Sequence, residues 1–444
     1  MAVLALVLSA CGGGGGGTGS ASCSLESQRA DLRASMVRDY LWYAQLQSPD
    51  PNQFGSLAAY LGGLVSPGIA GNAAFPADRW SGLQSTQAFQ RQFGDGQSLG
   101  YGLSVAGLEV IGTAQPLRVR YVEPRSPAAA AGVQRGDTIL QVNGRAASEL
   151  TQAGDFAWLE PGSTGTRLQL RLRSLQAVER TVMLSSAVFD LQPVSVATVF
   201  SSPAGRSTGY LVLKDFINQS SEPLDAAFAQ FRAAQVQELV VDLRYNGGGL
   251  VQLAAELASR IQPLATDRTF TSLVYSDKRT SSNFSFSFNR QPQAVTGLTR
   301  VYVLTSSRTC SASELLINGL QPFIEVVQVG GTTCGKPVGF QPRDNGCGIT
   351  VSQVNFESLN ANGEGRFWNG LVPRCAAAED WNRALGDPAE RLTAVALAHA
   401  DTGVCPVVAV GEAERARSLG ARLREARAQG WITEPGERPG MWIP

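Results

Sequence analysis

Histidine is nearly missing from this chain: His399 is the only one in 444 residues, and it lies in an Ala/Leu-rich stretch far from the polar motifs. A hydrolase built on a histidine base is therefore disfavoured. Seven cysteines are present, but no CxxC pair or histidine cluster accompanies them, which argues against a zinc site. Charge of one sign is not in excess, since 37 basic and 37 acidic residues cancel. Nothing in that balance favours a nucleic acid or an anionic surface as partner. No apolar run reaches the roughly 18 residues of a membrane-spanning helix. Lysine is scarce as well, with Lys214, Lys278 and Lys336 the only three. No internal repeat is evident.

The first residues have a composition of their own. Met1 to Leu8 is almost wholly apolar, and Ser9-Ala10-Cys11 then leads into Gly12–Gly17. An apolar run ending in small residues has the form of a secretory signal and its cleavage site. Leu8-Ser9-Ala10-Cys11 resembles the lipobox of bacterial lipoproteins, which implies a lipidated Cys11 and a flexible glycine tether behind it. No Lys or Arg precedes the run, a departure that puts the true start in question. The resemblance implies a protein of the bacterial cell envelope, lipid-anchored and facing the periplasm. Gly12, in place of a retention aspartate, favours the outer membrane. Without Cys11 the cysteines are Cys23, Cys310, Cys334, Cys347, Cys375 and Cys405, an even set that suggests disulfides in an exported protein. Cys375–Cys405 and Cys334–Cys347 are the pairs expected from proximity along the chain.

The chain divides by texture into a multidomain α+β protein. Residues 1–22 are the signal and tether. Residues 23–92 read as a small helical region, with helical spacing from Ser24 to Leu46 and the Tyr40-Leu41-Trp42-Tyr43 cluster as packing. Residues 93–186 carry short β-like runs, including Leu117 to Val122. Ser126-Pro127-Ala128 and Ala131-Gly132-Val133 follow, then Gly136-Asp137-Thr138-Ile139-Leu140-Gln141-Val142-Asn143-Gly144. These predict a short helix, a β-branched strand and an Asn-Gly hairpin turn. The stretch resembles the core of a PDZ domain. Tyr101-Gly102-Leu103-Ser104 falls where such domains carry the loop that binds a peptide's C-terminal carboxylate, the peptide adding as a strand to the sheet edge. Residues 187–400 alternate strands with helices, as in an α/β core with crossover connections. Residues 401–444 form a tail with a helical pattern over Glu412 to Ala428.

Three segments of the core carry chemistry. Thr309-Cys310-Ser311-Ala312-Ser313-Glu314 follows the strand-like Val301 to Leu304 and opens a helix. A hydroxyl there meets free N–H groups and the positive end of the helix dipole. Ser311 could equally be a helix cap, with Glu314 completing the capping arrangement. Lys336 follows in Cys334-Gly335-Lys336. A lysine with the ordinary pKa near about 10.4 is almost wholly charged at neutral pH, so a lysine base must be desolvated. The uncharged neighbours Thr333, Pro337, Val338 and Phe340, behind the buried-strand run Val326 to Val329, supply such a setting. Asp242-Leu243-Arg244-Tyr245-Asn246-Gly247-Gly248-Gly249 is a strand ending in glycines, where backbone N–H groups can approach a substrate. It suits an oxyanion hole better than a phosphate loop, because no GK[ST] follows.

Taken together, DLRYNGGG, TCSASE and CGK in this order behind a PDZ-like domain resemble the C-terminal processing peptidases, the tail-specific serine peptidases. The resemblance implies a peptidase core of the crotonase/Clp-protease type with a Ser–Lys dyad. Ser311 then matches the nucleophile and Lys336 the general base. Gly247 or Gly248, with Ala312, match the oxyanion donors. Many members have a glutamine four residues after the lysine, thought to orient its amine. Here that position is Phe340, and Gln341 comes one residue later. One residue of shift turns a strand side chain to the other face. Either a bulge restores Gln341 or another group orients Lys336.

The expected function is that of a serine endopeptidase that captures free C-termini of proteins or peptides and requires no metal or organic cofactor. Two rivals stand beside it: a catalytically inactive peptide-binding or scaffolding lipoprotein of the same fold, and a Ser–Lys hydrolase of non-peptide acyl or amide bonds.

Overall fold

The computed structural model describes residues 23–107, 117–408, 411–413, 416 and 440–443. The expected signal, Cys11 and most of the expected 412–428 helix lie outside these residues. Among the described residues, no helix is long and apolar enough to cross a membrane.

The central sheet of the core has six strands in the order 194–201, 207–213, 238–242, 300–305, 325–330 and 375–376. The first pair is antiparallel and the others run parallel. Parallel strands need crossovers, and helices cover both faces. Alternation along each strand assigns its side chains to the two layers. Leu239, Val241, Val301 and Val303 pack with Phe228, Phe231, Leu253, Leu257, Leu315 and Leu316, from the helices Ser221–Ala233, Val251–Ile261 and Ala312–Leu320. Their neighbours Val240, Tyr302 and Leu304 turn to the opposite face and meet Leu392, Val395 and Ala396 of the helix Arg391–Thr402. The lone histidine belongs to this second layer, its Nδ1 3.0 Å from the Tyr302 hydroxyl.

A second mixed sheet has the order 248–250, 440–442, 338–340, 354–359, 269–275 and 284–287. The tail, expected to be helical, thus contributes a strand at Gly440–Trp442.

Strands between residues 103–106 and 179–185 form a separate antiparallel sheet with its own core of Val105, Leu117, Val119, Ile139, Leu168, Leu170 and Leu172. Asn143 and Gly144, both at positive φ, make the tight hairpin turn read from the sequence. Arg135 fastens this domain to the core, donating to the Asp380 and Arg383 carbonyls at 3.0 Å each and pairing with Glu379 at 3.2 Å.

Three disulfides are present. Cys375–Cys405 is as expected. The expected Cys334–Cys347 pair does not form: Cys334 bonds Cys310, and Cys347 bonds Cys23. Short sequence separation was the wrong guide, because the strand turn carrying Cys310 and the loop carrying Cys334 converge in space.

Candidate active site

Ser311 stands at the turn between the strand Arg300–Thr305 and the helix that begins at Ala312. Its backbone has φ 63° and ψ −114°, a region that costs a non-glycine residue roughly 1–3 kcal/mol. Several bonds hold the turn in place. Cys310 N–H and the Ser313 hydroxyl both donate to the Asn246 carbonyl at 3.1 Å, and the Thr309 hydroxyl donates to the Leu243 carbonyl at 2.8 Å. The Ser311 Oγ is buried without a hydrogen-bond partner. That hydroxyl is therefore not acting as a helix cap.

Glu314 joins the two sequence motifs. Its Oε2 accepts from Ser311 N–H at 2.9 Å and from Lys336 N–H at 2.8 Å, while Oε1 accepts from Gly335 N–H at 2.7 Å and from the Thr333 hydroxyl. A single fully buried carboxylate thereby draws the Ser311 and Lys336 backbones together. Burial pushes this carboxyl above the usual range, and the bonds from Thr333, Lys336, Ser311 and Gly335 offset only part of that. The Cys310–Cys334 disulfide ties the same two segments covalently, one residue before Ser311 and two before Lys336.

Lys336 is 1% exposed and Ser311 0%. The Lys336 Nζ lies over the Phe340 ring, 3.8 Å from its centroid. Phe340 is buried, whereas Gln341 is exposed and donates its backbone N–H to Asn355 Oδ1 at 2.7 Å. The register irregularity lies opposite Phe340, where the partner strand skips from Phe356 to Val354. The extra residue is Asn355, on the partner, so Gln341 is not turned inward toward Lys336. The placement of Gln341 in the site is corrected accordingly.

The glycine segment meets the turn from the other side. Asn246 donates to the Leu213 carbonyl at 3.0 Å and accepts from Gly248 N–H at 2.8 Å. Gly248 N–H is thus engaged, which singles out Gly247 as the glycine donor to consider. Gly249 has φ 140°, and a Cβ there would meet the Phe216 carbonyl oxygen at 2.1 Å, so no larger residue fits. Ala312 begins its helix and carries one of the N–H groups that a helix leaves without an intrahelical partner. Below this segment, Arg244 is buried between Asp242 at 2.8 Å and Glu390 at 2.7 Å. Burial disfavours the charged Glu390, but the Arg244 charge and hydrogen bonds outweigh it and hold the carboxyl below its ordinary range.

The N-terminal region covers the lysine. Arg79 donates to the Trp368 carbonyl at 2.6 Å and to the Gly335 carbonyl at 3.3 Å, and Trp368 Nε1 donates to the Ala73 carbonyl at 2.8 Å. Trp42 and Trp80 pack against Trp368, with centroid distances of 6.1 and 5.4 Å.

The predicted peptide loop, Tyr101 to Ser104, lines a pocket between the PDZ-like sheet and the core, facing Lys214, Asp215 and Tyr245. Glu123 lines it too. Burial pushes the Glu123 carboxyl up to about 7, with Lys214 lowering it and Asp215 raising it.

Glu314, Asn246 and Phe340 are the contributors that sequence reasoning missed or undervalued. Glu314 was visible only as a helix-capping residue, and nothing in the sequence pointed to the carbonyl and side chain of Asn246 as a hub.

A PDZ domain followed by a peptidase core is the class of protein this arrangement defines. Residues 207–374 match peptidase family S41 and residues 118–173 match the PDZ domain. The chain thus carries an S41 peptidase region behind a PDZ domain and is similar to the carboxyl-terminal processing proteases. It is 29% identical to the carboxyl-terminal-processing protease of Synechocystis over 58% of this chain and 58% of that protein. It is 25% identical to the carboxy-terminal processing protease CtpB of Bacillus subtilis over 57% of this chain and 50% of that one. The match thus spans somewhat over half the length of these curated relatives. A Bacteroides fragilis crystal structure described as an S41 protease superposes with a TM-score of 0.66 at 26% identity, covering 84% of this chain and 97% of that one.

Proposed function

We propose that this chain is a serine endopeptidase that recognises the free C-termini of exported proteins and hydrolyses peptide bonds with Ser311 and Lys336. The observation that carries the reading is the shared Glu314 carboxylate, which brings the Ser311 and Lys336 backbones together while leaving the Ser311 hydroxyl uncommitted. In the proposed reaction, Ser311 Oγ attacks the scissile carbonyl as the neutral Lys336 amine takes its proton. The N–H groups of Ala312 and Gly247 receive the oxyanion. Lys336 then protonates the departing amine, and water activated by the same amine releases the acyl group from Ser311.

The pocket at Tyr101–Ser104 receives the substrate's terminal residues, and Leu99, Leu103 and Phe189 along it favour an apolar tail. Three disulfides suit an oxidising compartment. With the lipobox at Cys11, this supports a lipid-anchored protein of the bacterial envelope that faces the periplasm.

The test is cleavage of an unstructured protein with an apolar tail, offered as the free acid and as the amide. Wild type should cleave the acid preferentially, and Ser311→Ala and Lys336→Ala should each lose at least about 1,000-fold in kcat. Tail binding without cleavage by wild type would instead support the peptide-binding lipoprotein, and activity surviving both substitutions would remove the dyad.

A further inference from the structure

The strand Gly440–Trp442 lies between two elements that both lead directly from the candidate active site. On one side it pairs in parallel with Gly248–Leu250, Gly440 opposite Gly248, Met441 opposite Gly249 and Trp442 opposite Leu250. On the other it runs parallel to Val338–Phe340, with Trp442 opposite Phe340 and Ile443 N–H donating to the Phe340 carbonyl at 3.2 Å. The first strand follows Gly247 directly. The second starts two residues after Lys336 and ends on the ring that holds its amine. The two walls do not pair with each other, and the inserted segment is what closes the sheet between them.

We propose that the slot between Gly248–Leu250 and Val338–Phe340 is where an extended peptide substrate adds as a strand, and that residues 440–443 occupy it as an internal competitor. This rests on the peptidase reading above. Emptied, the slot presents two facing strand edges with unpaired N–H and C=O groups, to which an extended chain of nearly any sequence can pair. A strand laid there starts beside the glycine loop and runs parallel to both walls, between the glycine side and the lysine side of the site. The ligand class is an extended peptide with apolar residues, the chemistry of Met441-Trp442-Ile443, and Ile443 packs against the main apolar core. The competitor belongs to the same chain, so it acts at a high effective concentration and an outside substrate has to displace it. The segment pairs over only three residues on one wall and one on the other, which keeps it exchangeable.

The test uses the full chain and a fluorescein-labelled peptide copying residues 438–443. Binding is measured by anisotropy on Ser311→Ala and on Ser311→Ala carrying Met441→Pro, which removes a backbone N–H and blocks strand pairing. A chain ending at residue 439 serves as the second variant. Cleavage of the unstructured reporter is followed in parallel with Ser311 intact. The expected result is at least a tenfold gain in peptide affinity, and at least a tenfold gain in kcat/KM that added peptide suppresses competitively. If both variants bind the peptide no better than the parent, folded or with a collapsed melting midpoint, the segment is a structural strand and the proposal is overturned. A gain in binding with no cleavage by any form would keep the slot and remove the peptidase reading. Cleavage by wild type with no gain in either variant would do the reverse.

Discussion

The Lys336 amine rests 3.8 Å from the centre of the Phe340 ring, at the position where the family resemblance pointed to a glutamine. A ring face attracts a cation, so in the proposed reaction this contact would favour the protonated amine that forms as Ser311 attacks. Replacing Phe340 by Leu keeps the apolar bulk and removes the quadrupole. Phe340→Leu should lower kcat about 2–5-fold with KM unchanged, the scale of an interaction of roughly 0.5–1 kcal/mol. Steady-state kinetics on the reporter decides this, and an unchanged kcat would mean that the ring does not favour that protonated amine.

Glu314 is fully buried and accepts four hydrogen bonds. Glu314→Ala would leave the N–H groups of Ser311, Gly335 and Lys336 unsatisfied, each at a cost of about 1–3 kcal/mol. Denaturant unfolding should show a loss of at least about 3 kcal/mol. Glu314→Gln, which retains one acceptor oxygen, should fall between that variant and wild type. A loss below about 1 kcal/mol for Glu314→Ala would show that the carboxylate does not organise the turn.

The Cys310–Cys334 bond restrains the two segments that carry Ser311 and Lys336. The double variant Cys310→Ser/Cys334→Ser should lose about 2–4 kcal/mol of stability. Its kcat should fall at least tenfold, a larger proportional effect than removal of Cys375 and Cys405, which lie away from Ser311. Equal effects from the two pairs would reduce the bond near the dyad to a general staple.

Glu123 supplies a pH signature. Its carboxyl is held near about 7 in the folded chain by burial, opposed by Lys214 and reinforced by Asp215. The unfolded carboxyl titrates in the ordinary range near about 4.3, so between these values the folded state binds more protons. The contribution to stability is fully present below the unfolded pKa and is lost as pH rises through about 7. Unfolding free energy should decline over that window by roughly 1–3 kcal/mol in wild type and not in Glu123→Gln. Parallel wild-type and Glu123→Gln curves would show that this carboxyl titrates normally.

Much of this arrangement was readable because local and global preferences agree. The run Glu238-Leu239-Val240-Val241-Asp242 can only be a strand buried on both faces, and Ser311 and Lys336 stand out in a chain with one histidine and three lysines. Helix Ser221–Ala233 and the Asn143-Gly144 turn also fell where periodicity and turn chemistry put them. What escaped was set by contacts far apart in sequence. The partner of Cys334 depends on how a loop folds back onto a strand turn, which no spacing encodes. The role of Glu314 depends on N–H groups that arrive from residues 335 and 336. The strand at Gly440–Trp442 has three-residue pairing and no alternation to announce it.

The disulfide between Cys23 and Cys347 encloses most of the chain, 324 positions apart. A nick at any exposed bond inside that circle would leave both fragments in one covalent molecule, separating on a gel only after reduction. A chain cut inside that circle would thus keep its N-terminal region and its core in one covalent molecule.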